Sequence, residues 1–160
     1  MSASDIRRAV AGILLALSLA ACGDDPASFE LQTIEKGAYS GIVLGAPLVF
    51  KIDSQAEWDD FWARHKIRES PTPAQPAIDF AQHSVVAVVD KQESSGGFTM
   101  EVDSVTEQDA ALHVHATRTE PGPDCVVATV LTQPFHIVRI GRSVLPAVLE
   151  LSVTTSSCAR

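Results

Sequence analysis

The sequence predicts an α+β domain: a mostly antiparallel β-sheet with one helix packed on one face. Three observations predict it. There is one well-signalled helix, one continuous β-branched run suited to a central strand, and several later segments in which apolar and polar residues alternate. The helix opens at Ser54-Gln55-Ala56-Glu57, a capping box in which the Ser oxygen takes an orphan backbone N–H and the Glu reaches back. Trp58, Phe61, Trp62 and His65 then recur at helical spacing, with Asp59, Asp60 and Arg64 on other faces. That stripe reads as a face packed on the sheet, with an aromatic ligand cage as the competing reading. Asp59 and Asp60 diverge as helix neighbours and belong to a solvated face.

The strands follow in order. Gly41 to Leu44 and Leu48 to Ile52 are candidates upstream of the helix. Ser70-Pro71-Thr72-Pro73-Ala74-Gln75-Pro76 is extended and non-helical and reads as a surface loop. Val85-Val86-Ala87-Val88-Val89 suits a strand covered on both faces. Gly96-Gly97 marks a turn, after which Phe98, Met100 and Val102 alternate with Thr99, Glu101 and Asp103. Leu112, Val114 and Ala116 alternate with His113, His115 and Thr117, and Gln108-Asp109 supplies the reversal of a hairpin. Phe135 to Ile140 and Val148 to Val153 complete the set.

The chain has 160 residues, 46% apolar and 20% charged, values that exclude a disordered, collagenous or coiled-coil chain and leave room for one domain with a true core. A net charge of −8 is the wrong sign for nucleic acid and for adsorption on anionic lipid by net charge alone. Residues 1–21 read as an export signal: Arg7-Arg8 form the positive region, and Ala9 to Ala21 run apolar but too short to span a bilayer. Leu19-Ala20-Ala21-Cys22 resembles a bacterial lipobox, in which the Cys22 thiol carries diacylglycerol; simple cleavage of a secreted protein is the alternative. Two or three acyl chains make a firm tether. The expectation is a protein of the bacterial cell envelope, extracytoplasmic, meeting the membrane through its lipid anchor only. Gly23 lacks the Asp that retains enterobacterial lipoproteins at the inner membrane, which favours the outer membrane in a host that has one. Residues 22–35 read as lipidated Cys and acidic spacer, and 36–160 as the folded domain.

With Cys22 taken by lipid, Cys125 and Cys158 remain in a compartment where disulfides persist, and a staple between them is expected. Loop entropy values such a crosslink at roughly 3.7 kcal/mol. A reactive thiol is the competing reading, but neither Cys has a basic neighbour in sequence to depress its pKa.

Chemistry is sparse. His113-x-His115 sets two imidazoles on one strand face, about 7 Å apart by strand rise, the start of a metal site that lacks its third and fourth ligands. The preferred reading is exposed histidines; a metal-binding protein or enzyme using His113 and His115 is the alternative. The chain has no Gly-x-Ser-x-Gly elbow, no His-Glu-x-x-His and no Ser-x-x-Lys, and Ser94-Ser95-Gly96-Gly97 lacks the Lys of a phosphate loop. The reading is therefore not an enzyme, with no cofactor and no metal.

The order of the features adds a resemblance. Gly37-Ala38-Tyr39-Ser40-Gly41, Glu57-Trp58 before Phe61-Trp62, Ile78-Asp79-Phe80, Ser95-Gly96-Gly97-Phe98, Pro121-Gly122-Pro123-Asp124-Cys125 and Gln133-Pro134-Phe135-His136-Ile137-Val138-Arg139-Ile140 resemble the PrcB C-terminal domain family across about residues 37 to 141. The family is named for a lipoprotein subunit of a cell-surface protease complex and more often has Tyr where Phe98 stands. No catalytic residues are carried over. The resemblance implies a lipid-anchored accessory or regulatory module that binds an envelope protease or another envelope protein. Gly96, Gly97, Phe98, Pro121, Gly122 and Pro123 are the candidate interaction surface. Phe98 is either its exposed anchor or the first inward residue of its strand. A small-ligand-binding domain using the Trp58/Trp62 face is a further alternative.

Overall fold

A computed structural model describes residues 26–159; the expected export signal and Cys22 lie outside them. The elements are β1 (Ala27–Ser28), β2 (Gln32–Gly37), β3 (Leu48–Ile52), α1 (Gln55–His65), β4 (His83–Val89), β5 (Thr99–Gln108), β6 (Ala111–Pro121), β7 (Phe135–Gly141) and β8 (Ala147–Ser156). They form two four-stranded sheets, ordered β2-β7-β4-β3 and β1-β5-β6-β8. Every pairing is antiparallel except β6 with β8.

The expected α+β class holds, but one sheet becomes two. The reason lies in β4 and β7. Val85, Ala87, Val89, Phe135 and Ile137 face α1, while Val86, Val88, Val138 and Ile140 face the other way into a second core with Met100, Val102, Val105, Leu112, Val114 and Ala116. A strand pair apolar on both faces needs a cover on each. The helix supplies one, and the β5–β6 hairpin supplies the other. β5 and β6 reverse through Asp109-Ala110, both at positive φ (50° and 58°), the backbone of a two-residue hairpin turn.

α1 forms where its capping box predicts. Ser54 Oγ accepts the Glu57 N–H at 3.3 Å, and the Glu57 carboxylate reaches back to the Asp53 N–H at 2.8 Å. Trp58, Phe61, Trp62 and His65 are buried, and each large ring contributes roughly 2–3 kcal/mol through burial. The proline-rich loop closes over the same face: Pro76 and Pro73 carbonyls accept the indole N–H groups of Trp58 and Trp62 at 3.0 and 3.1 Å. The tryptophans are core residues roofed by backbone, so the ligand-cage alternative is corrected.

Two upstream expectations change as well. Gly41 to Leu44 is not a strand; it lies against the end of α1, where the Gly41 N–H donates to His65 O at 2.8 Å and a Cβ on Gly41 would sit 2.5 Å from Arg64 O. The fold also begins ahead of Lys36, within the expected spacer. β1 and β2 are sheet edges rich in polar side chains, and β2 is fastened by polar contacts such as Lys36 with Glu101 and Thr33 with His136.

His136 joins the two sheets. β5 carries a bulge between Val102 and Ser104, and the Val102 N–H donates to His136 Nδ1 at 2.8 Å while Nε2 lies 2.9 Å from Thr33 Oγ1. Burial, with Lys36 nearby, lowers the His136 pKa from 6.5 to about 4. Between those values the unfolded chain binds a proton that the native chain refuses. The stability from this group is thus complete above about pH 6.5 and is lost as the pH falls toward about 4, by of order 3 kcal/mol. Urea unfolding of the wild type and His136→Gln should therefore show a stability gap that narrows by about 2–3 kcal/mol from pH 7.5 to pH 4.5; an equal gap at both pH values contradicts the assignment.

Candidate functional site

One end of the sandwich gathers the connection from β4 to β5, the connection from β6 to β7, and the chain after β8. Arg118 of β6 organises it. Its guanidinium, with a side chain 5% exposed, donates from Nε to Asp90 at 2.6 Å and pairs through its other nitrogens with Glu93 and Glu120. The Phe98 ring lies 4.8 Å from the same guanidinium carbon, a cation–π contact. Asp90 is fully buried, so its charge depends on Arg118 for compensation.

The glycines let the loops close. Gly97 has φ +91°, and a Cβ there would meet Pro121 and Val127 at 3.0 Å. Gly122 is buried, its N–H donating to Ser156 O at 2.8 Å. Cys125 and Cys158 are bonded, with Cα atoms 5.0 Å apart. The Asp124 carboxylate accepts from Ser157 Oγ and from the Cys158 and Ala159 N–H groups, bonds that lower its pKa. The reactive-thiol reading is replaced by the staple.

Between the staple and Thr132 runs an apolar strip, Val126-Val127-Ala128-Thr129-Val130-Leu131, exposed at every residue. Val126 is fully open to solvent at 103% and Leu131 is 56% exposed. The strip is nevertheless held. Ala128 O accepts the Gly96 N–H at 2.9 Å, Thr132 exchanges two backbone hydrogen bonds with Glu93, and Thr132 Oγ1 donates to Ser95 O at 2.8 Å.

The structure thus brings the expected surface residues together but assigns them different parts. Gly97 and Pro121 touch at the base of the strip, Gly122 is interior, and Pro123 is exposed. Phe98 is half-buried beneath Arg118 and belongs to neither core cluster, so it is neither a free anchor nor an inward strand residue. The exposed apolar residues of this loop end include Val126, Val127, Val130 and Leu131, which the sequence reading missed. Their signal was a run of six uncharged residues directly after Cys125, the same pattern that marks the buried strand at Val85 to Val89.

Other constellations are occupied internally. His113 and His115 share one carboxylate: Glu150 lies 2.5 Å from His113 Nδ1 and 3.0 Å from His115 Nδ1. The hydrogen bond to Glu150 raises the His113 pKa and lowers that of Glu150. Among the described residues no group of three or more His, Cys, Asp or Glu is arranged to hold a metal ion. Ser40, His65 and Glu35 are linked in series, with Ser40 Oγ 3.0 Å from His65 Nδ1 and Glu35 Oε2 3.3 Å from His65 Nε2. Ser40 is fully buried and its oxygen accepts the Ile42 N–H, so no substrate reaches it. Burial holds the His65 pKa below its ordinary value, and the trio fastens the end of α1 to β2.

Residues 84–141 match the family model described as PrcB C-terminal. The resemblance holds over that span, which runs from β4 through β7 and includes both connections that build the loop end; it is narrower than residues 37 to 141. At family level the match suggests a subunit related to a protease complex. No curated protein and no solved structure matches the chain significantly.

The Arg118 cluster sets a testable energy. Arg118→Ala leaves the Asp90 carboxylate buried and unpaired and should cost about 3–5 kcal/mol in urea unfolding, with much of the loss recovered when Asp90→Asn is added. A loss below about 1 kcal/mol contradicts the role given to Arg118.

Proposed function

We infer, from the PrcB C-terminal segment at 84–141 as premise, that this protein is a non-catalytic accessory module of an envelope protease complex, tethered through lipid on Cys22. It docks on the protease through Val126 to Leu131. The observation that carries the reading is the apolar strip: six consecutive residues left in solvent on a segment pinned at both ends. Contiguous exposed apolar surface marks interaction sites, and a segment already ordered loses little conformational freedom on binding.

The first strand and the strip sit at opposite ends of the domain. β4 runs from His83 to Val89, with Asp90 of the loop cluster next in sequence, and β1 pairs with β5 at Thr106 and Glu107, near the far end of that strand. A seven-residue strand is about 23 Å long. A lipid at Cys22 would therefore hold the domain by one end and leave the strip facing away from its root. Without Asp5, Arg7 and Arg8 the mature chain carries −9, which favours a basic rim on the partner. His113 and His115 are held by Glu150, so the metal-binding alternative gains no support.

Two experiments test the reading. Val126→Asp with Leu131→Asp changes exposed residues, so the fold should stay within about 0.5 kcal/mol of wild type. Affinity for the co-purifying envelope protease should fall at least about 10-fold. A folded double variant that retains its protease at full strength overturns the docking site. Wild-type cells should incorporate labelled palmitate into the chain, and Cys22→Ser should abolish the label and release the protein from membranes. Label retained by Cys22→Ser, or none in wild type, overturns the tether.

A further inference from the structure

Between β1 and β2 the chain crosses from one sheet to the other, and residues 28–32 arch over the end of β7. The first β2–β7 pair is Gln32 with Arg139, while Ile140 and Gly141 pair only with β4. Beneath the arch lies a cavity of about 650 Å³ whose lining includes Glu30, His83, Arg139 and Gly141. Val85 pairs with Arg139 and His83 with Gly141, so His83 and Arg139 are diagonal neighbours across two strands.

Arg139 is unusual in this acidic chain. Most described Lys and Arg side chains have a carboxylate partner. Arg139 and nearby Arg142, like the exposed Arg68, have none among the described residues; Arg139 bonds to the neutral amide of Gln32, and Arg142 to the Phe80 carbonyl. His83 places Nδ1 3.2 Å from Asp79 O, leaving Nε2 without a partner among the described residues. A guanidinium with no ion-paired carboxylate among the described residues, an imidazole nitrogen and a strand edge that β2 has left form a cradle for an oxyanion.

We propose that this cavity binds a singly charged phosphodiester, that of a phospholipid headgroup at the surface of the tethering membrane. The proposal rests on the lipid anchor at Cys22. Ser28 lies six positions after Cys22, a reach of at most about 20 Å in extended chain, so the anchor delivers the cavity to the headgroup layer. Glu30 on the arch selects within the anions: it repels the doubly charged form of free phosphate more than a diester carrying one charge. A bound headgroup fixes how the domain stands on the bilayer and so aims the apolar strip.

The test uses the lipidated full chain in dodecyl maltoside, a detergent without phosphate, titrated by calorimetry with glycerophosphoglycerol and separately with inorganic phosphate. Glycerophosphoglycerol should bind more tightly than inorganic phosphate, and Arg139→Gln should weaken it at least 10-fold with an unchanged urea midpoint. His83→Ala, read in the same way, should also weaken it. Absence of diester binding, unchanged binding by both variants, or inorganic phosphate binding at least as tightly overturns the proposal. Because the headgroup is added in solution, failure here leaves palmitate incorporation intact, whereas a chain without palmitate would indict the anchor instead.

Discussion

Covering both faces of the β4–β7 pair is the constraint on which the rest of this structure depends. Val85 to Val89 are buried throughout, as are Phe135, Ile137, Val138 and Ile140 beside them, and a two-strand ribbon of that kind has no stability of its own in water. α1 covers one face with Trp58, Phe61 and Trp62; the β5–β6 hairpin covers the other with Met100, Leu112 and Val114. The polar links serve that stack. His136 receives the N–H released by the β5 bulge, and the Ser40–His65–Glu35 series ties the helix end to β2. This Ser–His–Glu series is a fastening between layers, because its hydroxyl is sealed.

The same two strands set apart the ends of the molecule. At one end, β2 leaves β7 at Arg139 and opens a polar cavity beside the connection from β1 to β2. At the other, charge and covalent chemistry divide the work of holding loops. Arg118 gathers three carboxylates and the Phe98 ring, which fixes the connection from β4 to β5. The Cys125–Cys158 bond and the Asp124 contacts fix the start of the connection to β7. Loops so held can expose valines and leucine without collapsing onto them. That combination, apolar and solvated yet ordered, is what separates the strip from ordinary surface residues.

Much of the fold was legible in the sequence because local chemistry determines it. The Ser54–Glu57 box starts the helix, the valine run marks the doubly covered strand, and the alternation from Leu112 to Ala116 places His113 and His115 outward. The staple was legible from the cysteine count together with the expected export. β1 and β2 were not, since polar edge strands carry no hydrophobic period, and the count of sheets was not, since a doubly apolar strand does not say what covers it. The site was half legible. Gly97 and Pro121 meet as their turn chemistry suggests, but Phe98 is claimed by Arg118, a residue twenty positions away in sequence. Val126 to Leu131 looks like a buried strand in sequence, and only the pinned ends explain why it stays in water.

The central claim is that the stapled loop end meets a protease, and site-specific photocrosslinking in the native envelope tests it most directly. A benzophenone amino acid at Val126 is compared with the same group at Val144, which also faces solvent, at 83% exposure, but lies outside the loop cluster. The account predicts an adduct with an envelope protease from position 126 and none from position 144. Equal adducts from both positions, or a protease captured from 144 alone, would contradict it.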